Sequence, residues 1–498
     1  MLNRSNKLIQ FKRFYSTTTA TINNNDPPKL IKKDTIYSLS SGVGKSGVAV
    51  IRVSGPQSKN VLQSLINKEK EPKDRLATLG TFYHPTTKEP LDKGIYIWFS
   101  NPNSFTGEDV VEFHIHGGRA VIHDTLEAIS TIPGTRSSQP GEFTKRSFDN
   151  GKLDLTQVEG LSDLLDAQTQ HQRKIALDQM QGSIGKFYHT LRNDLIRASA
   201  YMEAFIDFGD DAELEPEIVE QSKQKILAIK EKIIQHLNDG RRGERLRDGA
   251  QIAIVGPPNA GKSSLLNLLA KRKASIVSPI PGTTRDIVEV VLDIGGYPVV
   301  VGDTAGIRHS TLDLIEKEGI EMAKERFKQS DIKLFLYDCS IHGDDADSMD
   351  LLLNIIDKNT ILVFNKVDLV DKKLNWDSKR KEILDTIYQR KGFHSNYIEI
   401  SCLENIGIQN LLLHLENNLK QLFEIDDKEA PLLTRVRYKE HLNDCVESLN
   451  RYIYYCDSDI VLASEELRSA IKSIGEITFS VNIDDLLDVI FKDFCIGK

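Results

Sequence analysis

The stretch Gln251-Ile252-Ala253-Ile254-Val255-Gly256-Pro257-Pro258-Asn259-Ala260-Gly261-Lys262-Ser263 decides how the middle of this chain folds. An apolar run with β-branched residues predicts a strand, a glycine-bounded loop follows, and Leu265-Leu266-Asn267-Leu268-Leu269 predicts a helix. Strand, loop and helix in that order make a phosphate cradle. Backbone N–H groups of the loop and the helix N-terminus supply partial positive charge, the Lys262 ammonium adds a full charge at the β- and γ-oxygens, and the Ser263 hydroxyl ligates magnesium.

Four further elements follow in the order a guanine-nucleotide site requires. Gly282-Thr283-Thr284-Arg285-Asp286 lies about twenty residues on, where Thr284 completes the magnesium shell. Asp303-Thr304-Ala305-Gly306 follows the apolar run Val299-Val300-Val301, so that Asp303 serves as an outer-sphere magnesium carboxylate and the Gly306 N–H lies near the γ-phosphate. Asn365-Lys366-Val367-Asp368 follows Ile361-Leu362-Val363-Phe364. The Asp368 carboxylate accepts both N1–H and N2–H of guanine, a donor pair that adenine lacks. Ser401-Cys402-Leu403 then falls where a backbone N–H meets guanine O6, with Cys402 in place of an expected alanine. The nucleotide set is therefore Asn259, Ala260, Gly261, Lys262, Ser263, Ser264, Thr283, Thr284, Asp303, Thr304, Ala305, Gly306, Asn365, Lys366, Asp368 and Ser401. A glutamine that would orient water after the D-x-x-G element is replaced by Ile307, whose side chain cannot do so.

Outward from this unit the periodicity changes. Residues 35 to 150 alternate strand-like runs (48–53, 94–99, 110–115) with helical stretches such as 120–129, an α/β pattern. From Thr156 the period is helical, with Thr156-Gln157-Val158-Glu159 read as a capping box and stripes at Phe187, Leu191, Leu195, Ala198 and at Ile226, Ile229, Ile233, Leu237. The stretch 240–249 reads as a linker. Helical periodicity returns beyond Pro431, at Leu467, Ala470, Ile471, Ile474 and then Leu486, Leu487, Ile490, Phe494. The economical division is an N-terminal domain at 31–151, a helical domain at 152–248 and 427–498, and an inserted nucleotide domain at 249–426. Gly42-Val43-Gly44-Lys45-Ser46-Gly47 imitates a dinucleotide or KH loop, but a strand follows it where both need a helix, so it is a turn.

Residues 1–30 differ from the rest. Arg4, Lys7, Lys12 and Arg13 alternate with apolar residues, hydroxyl residues follow at 16–19, and no acid precedes Asp26. With no apolar core of secretory length, this composition predicts a mitochondrial transit peptide and linker. Over the 498 residues the net charge is −8, which argues against a protein that holds RNA mainly by phosphate neutralisation. RNA contact would need a local patch such as Arg241-Arg242-Gly243-Glu244-Arg245-Leu246-Arg247, whose plainer reading is a solvated linker. The five cysteines include no C-x-x-C pair, so neither a zinc site nor a disulfide framework is expected.

Several segments together resemble one family, the tRNA-modification GTPases known as MnmE or TrmE and their mitochondrial relatives. They are Pro102-Asn103-Ser104-Phe105-Thr106-Gly107-Glu108-Asp109, His116-Gly117-Gly118, Pro140-Gly141-Glu142-Phe143-Thr144, Lys152-Leu153-Asp154-Leu155, the nucleotide elements, and the terminal Cys495-Ile496-Gly497-Lys498. The resemblance covers residues 35 to 498. It implies a folate-binding N-terminal α/β domain that forms a homodimer, an all-α helical domain, and an inserted Ras-like P-loop GTPase domain. It implies GTP, Mg2+, K+ and 5,10-methylene- or 5-formyl-tetrahydrofolate, with potassium held by Asn259, Ser278, Ile280 and Thr283, and with Glu316 organising water. Folate contacts would fall on Arg52, Glu112, Lys152 and Lys498, although by sequence alone the favoured reading of Arg52 is a surface charge on a strand. The reaction implied modifies C5 of the wobble uridine of tRNA with an MnmG-like flavin-containing partner, and Cys495 beside Lys498 is the candidate nucleophile. A ribosome-assembly GTPase is the main alternative; it predicts a basic RNA module that neither flank supplies. A septin-like polymerising GTPase leaves the terminal Cys-Ile-Gly-Lys without a purpose.

Overall fold

The computed structural model describes residues 34–69, 71–208, 217–238, 241–272, 289–302, 330–341, 346–370, 376–423, 431–478 and 497. Two compact units result, residues 1–152 with 488–498, and residues 153–487.

In the first unit, strands β1 (Thr35–Leu39), β2 (Ser46–Ser54), β3 (Thr78–Tyr83), β4 (Pro90–Phe99), β5 (Val110–Gly117) and β6 (Thr135–Ser137) form one sheet in the order β3-β4-β5-β2-β1-β6. Helices α1 (Ser58–Ile66), α2 (Arg119–Ser130) and α3 (Glu142–Asp149) complete it. Period-two alternation sets its faces: Ala49, Ile51 and Val53 of β2 and Val111, Phe113 and Ile115 of β5 are buried against Leu62 and Ile129. Arg52 and Glu112 therefore share the opposite face. The antiparallel register sets them directly across from each other, 60 residues apart in sequence. Residues 42–47 are indeed the loop and start of the hairpin between β1 and β2, with Val43 exposed.

The second unit begins with α4 (Leu155–Asp166), α5 (Gln170–Met180), α6 (Ser183–Phe208), α7 (Glu217–Leu237) and α8 (Arg242–Asp248). Its nucleotide part has β7 (Ala250–Val255), α9 (Lys262–Arg272), β8 (Glu289–Ile294), β9 (Tyr297–Gly302), β10 (Ile332–Asp338), α10 (Ala346–Ile355), β11 (Thr360–Asn365), α11 (Trp376–Lys391), β12 (Asn396–Glu399) and α12 (Ile408–Phe423). It closes with α13 (Val436–Tyr455) and α14 (Ile460–Thr478). Side chains from both ends of the unit share one core: Tyr188, Leu195, Met202, Ile226 and Ile233 pack with Tyr438, Leu442, Leu449, Leu467 and Ile474. The sheet order is β12-β11-β10-β7-β9-β8, parallel except for β8. Every residue of β10 and β11 is buried, the continuous pattern of a parallel sheet covered on both faces.

Two sequence readings need correction. The capping box of α4 is set by Asp154 and Gln157, not by Thr156 and Glu159. The Asp154 side chain accepts from the Gln157 N–H at 2.9 Å, the Gln157 side chain accepts from the Asp154 N–H at 3.0 Å, and Thr156 lies inside the first turn. The supposed linker at 240–249 contains α8, which is not a free basic patch. Arg241 pairs with Glu244 at 3.0 Å, Arg245 with Asp331 at 2.7 Å, and Lys439 reaches the other Glu244 oxygen at 2.7 Å. Among the described residues no helix is long and apolar enough to cross a membrane.

Candidate functional site

The loop after β7 is shaped by residues that tolerate unusual backbone. Asn259 has φ +61° and Gly261 φ +99°. A side chain at Gly261 would place its Cβ 2.2 Å from Asn365 Nδ2, so only glycine lets the loop approach the end of β11. The Lys262 ammonium lies over this loop, donating to the carbonyls of Gly256 at 2.9 Å and Pro257 at 2.8 Å. Ser263 and Ser264 open α9 and are exposed, Ala260 is buried, and the dipole of α9 runs behind the loop.

Asn365, at the end of β11, joins three loops. Its Nδ2 donates to the Ala260 carbonyl at 2.7 Å and its Oδ1 accepts from the Cys402 N–H at 3.2 Å. Lys366 has φ +66°, and its ammonium lies 2.6 Å from Asp338, the residue paired with Asn365 in the β10–β11 register. Burial works to raise the Asp338 carboxyl, but Lys366 and the two Ser340 donors outweigh it and hold it below the ordinary carboxylate range. Ser401 is fully buried, exchanges backbone hydrogen bonds with Ile406, and accepts from the Glu404 N–H, which fixes the loop that carries Cys402. Burial pushes the Cys402 thiol up to about 11, so it is neutral there. Asp368 Oδ1 is buried and has no hydrogen-bond partner among the described residues. A buried carboxylate oxygen left open is costly unless a ligand supplies donors, and guanine N1–H and N2–H are donors of that kind.

The N-terminal residues also converge. Arg52 Nε and Nη2 both lie 2.9 Å from Glu112 Oε1, and the guanidinium stands 5.2 Å from the Phe105 ring centre and 5.8 Å from that of Phe143. Arg52 is therefore not the free surface charge that sequence alone allowed. Lys152 donates to the Pro102 carbonyl at 2.9 Å, beside Gly107, whose φ of +76° carries the chain past it. Sequence reading missed two neighbours. Arg146, only 6% exposed, bridges Glu108 at 3.0 Å and Glu142 at 3.1 Å. His114 Nε2, buried without a hydrogen-bond partner among the described residues, lies 3.7 Å from the second Glu112 oxygen, and its place two residues along β5 was the available sign. At the chain end, the Gly497 carbonyl accepts from Ser40 Oγ at 2.7 Å. A Cβ there would lie 2.0 Å from the Leu39 carbonyl. Ser38, one residue before Leu39, is the register partner of Arg52. Ser278, Ile280, Thr283, Thr284, Asp303, Thr304, Ala305, Gly306, Glu316, Cys495 and Lys498, with residues 1–33, lie outside the described residues.

A six-stranded, largely parallel sheet, a glycine loop under a lysine and an open aspartate oxygen in the turn after β11 define the class: this is a P-loop GTPase. The MnmE helical domain model matches residues 155–495, and the model of the GTP-binding protein TrmE N-terminus matches residues 35–152. The chain is 67% identical to the mitochondrial tRNA modification GTPase gtpbp3 of Dictyostelium discoideum, over 95% of this chain and 97% of the relative. It is 46% identical to the tRNA modification GTPase MnmE of Parvibaculum lavamentivorans (93% and 100% covered). It is 40% identical to the human mitochondrial 5-taurinomethyluridine-[tRNA] synthase subunit GTPB3 (93% of each). The chain belongs to the MnmE/TrmE family of tRNA modification GTPases, as a mitochondrial member.

Proposed function

We propose that the chain is a potassium-activated GTPase that works with a flavin-containing, MnmG-like partner to modify C5 of the wobble uridine of mitochondrial tRNAs. A tetrahydrofolate bound to the N-terminal domain would supply the one-carbon unit. The vertebrate relatives are named for 5-taurinomethyluridine, which makes a taurine-bearing product the natural candidate here.

In this reading Lys262 and the loop N–H groups bind the β- and γ-phosphates, Asp368 and a backbone N–H of the Ser401-Cys402-Leu403 segment read guanine, and Ser263 with Thr284 and Asp303 hold magnesium. Potassium held by Asn259, Ser278, Ile280 and Thr283 would supply the charge that an arginine finger provides elsewhere, and Glu316 orients the water that Ile307 cannot. The N-terminal residues fit a pterin. Its 2-amino-4-oxo edge offers two N–H donors to Glu112, the half-buried Phe105 ring offers an apolar surface backed by the buried Phe143, and Arg52 and Lys152 suit its carbonyl and the glutamate tail. The same reading takes residues 1–30 as a transit peptide and linker, 31–151 as the N-terminal domain that forms the homodimer, 152–248 with 427–498 as the helical domain and 249–426 as the inserted GTPase domain, with the end of the chain, residues 488–498, grouped with the N-terminal unit.

The observation that carries the folate reading is Gly497 against Leu39 and Ser40. It brings the end of the chain to the strand next to Arg52, and so supports a site shared by Arg52, Glu112, Cys495 and Lys498. The test is one assay on purified protein with its flavin partner, in potassium or sodium salt. Hydrolysis should be much faster in potassium, and Cys495→Ser should leave it near normal while tRNA modification collapses. Equal rates in both salts would remove the potassium claim, and full modification by the serine variant would reduce Cys495 to a chain-end residue.

A further inference from the structure

Helix α5 belongs to the helical part of the second unit, yet its first turn is fastened to the nucleotide sheet. His171 stacks on Tyr297 with ring centres 4.0 Å apart and planes 9° from parallel. The Gly296 carbonyl accepts from both donors of His171, the ring Nδ1 at 2.8 Å and the backbone N–H at 3.2 Å, which requires the Nδ1 proton. Tyr297 in turn stacks on Phe423, the last residue of α12, at 5.0 Å and 8°. Three rings from three elements thus make one column. The next residue, Gln172, donates to the Arg247 carbonyl of α8 at 2.7 Å while its oxygen caps α5 itself.

What His171 holds is the tip of the β8–β9 hairpin. Gly295 and Gly296 have φ of +64° and +89°, the two left-handed residues of a tight hairpin turn. A Cβ on Gly295 would lie 2.5 Å from Glu416 Cγ of α12, and one on Gly296 would lie 2.9 Å from His171 Nδ1, so the turn is wedged between the two helices. Asp293 Oδ1 accepts from the Gly296 N–H at 2.7 Å and stiffens it. From Tyr297 to Gly302 β9 is about 16 Å long at the usual strand rise. Its far end pairs with the P-loop strand at Ala253–Gly302. In sequence, Gly302 immediately precedes Asp303, and Glu289 follows Thr284 by five residues.

We propose that His171 is a positioning residue for GTP hydrolysis: it grips the β8–β9 turn from the helical domain and so fixes the strand ends from which Thr284 and Asp303 are placed. This rests on the reading of Thr284 and Asp303 given above. The P-loop strand is also held by its pairing with β10, and the loop by Asn365, neither of which passes through the hairpin, so nucleotide affinity should change far less than turnover. The helical domain then sets hydrolysis without touching nucleotide.

The full-length chain carrying His171→Ala, His171→Phe or Asp303→Asn, assayed for kcat, KM, GDP affinity and melting temperature, tests this. His171→Ala should lower kcat by about five- to tenfold with KM and GDP affinity within about twofold of wild type, the pattern of a lost positioning contact. His171→Phe keeps the stacking face and loses only the Nδ1 donor, so it should recover part of kcat. Unchanged kcat in His171→Ala overturns the proposal. So does a fall in which affinity and melting temperature decline together and phenylalanine restores nothing. Asp303→Asn must itself abolish magnesium-dependent hydrolysis; if it does not, the reading of Asp303 fails whatever His171 shows.

Discussion

Asp368 and Glu112 are both carboxylates suited to the same chemical edge, an amino group beside a ring N–H, as found on guanine and on a pterin. They stand in different states. Asp368 has a buried oxygen with no partner among the described residues, whereas Glu112 is already tied to Arg52 at 2.9 Å and stands near His114. An open buried acceptor gains the whole of an incoming charged hydrogen bond, while a paired one must share or exchange its cation and gains less. Substitutions at the nucleotide site should therefore act strongly and those at the N-terminal pair more weakly.

The largest effect is expected at the phosphate loop. Lys262→Ala removes a full charge that sits over the loop, and hydrolysis should fall on the order of 100-fold or more, since hydrogen bonds to charged groups are the strong ones. A steady-state GTPase assay checks it; activity within a few-fold of wild type would break the comparison at its stronger end. Asp368→Asn comes next. The asparagine amide places a donor against a guanine donor, so GTP affinity should fall by roughly 30- to 100-fold and preference over ATP should narrow. Competition binding with the two nucleotides reads this, and retained guanine selectivity would mean that the open oxygen is not the reading group. At the paired carboxylate, Arg52→Ala and Glu112→Ala should each weaken binding of a reduced folate by about tenfold, roughly 1.4 kcal/mol. Calorimetry with 5-formyl-tetrahydrofolate measures it, and unchanged affinity in both variants would return the pair to a purely structural role.

The same contrast explains what was legible in the sequence. Backbone constraints leave local marks: Gly261 is dictated by the approach of Asn365, and each nucleotide element begins where an apolar strand ends, so order and spacing betray the site. The Arg52–Glu112 pair depends on the register of two strands 60 residues apart, which no local pattern states; alternation gives the face of Arg52 but not its partner. Helix α8 was hidden because Leu246 is its only large apolar residue, and ion pairs to Asp331 and Lys439 replace the usual stripe. The α4 cap was ambiguous because Asp154 and Thr156 both have a suitable partner three residues on. Geometry favours Asp154, whose carboxylate also accepts from Thr156 Oγ1 at 2.6 Å. The His171–Tyr297–Phe423 column joins residues from three distant segments and could be seen only in three dimensions.

The claim that joins these regions is that one chain couples GTP turnover to chemistry on tRNA. The direct measurement is mass spectrometry of wobble nucleosides in mitochondrial tRNA from cells lacking this protein, with and without re-expression of wild type or Lys262→Ala. The account predicts that the C5 modification disappears, returns with wild type and stays absent with Lys262→Ala; wobble uridines modified at normal levels without the protein would contradict it.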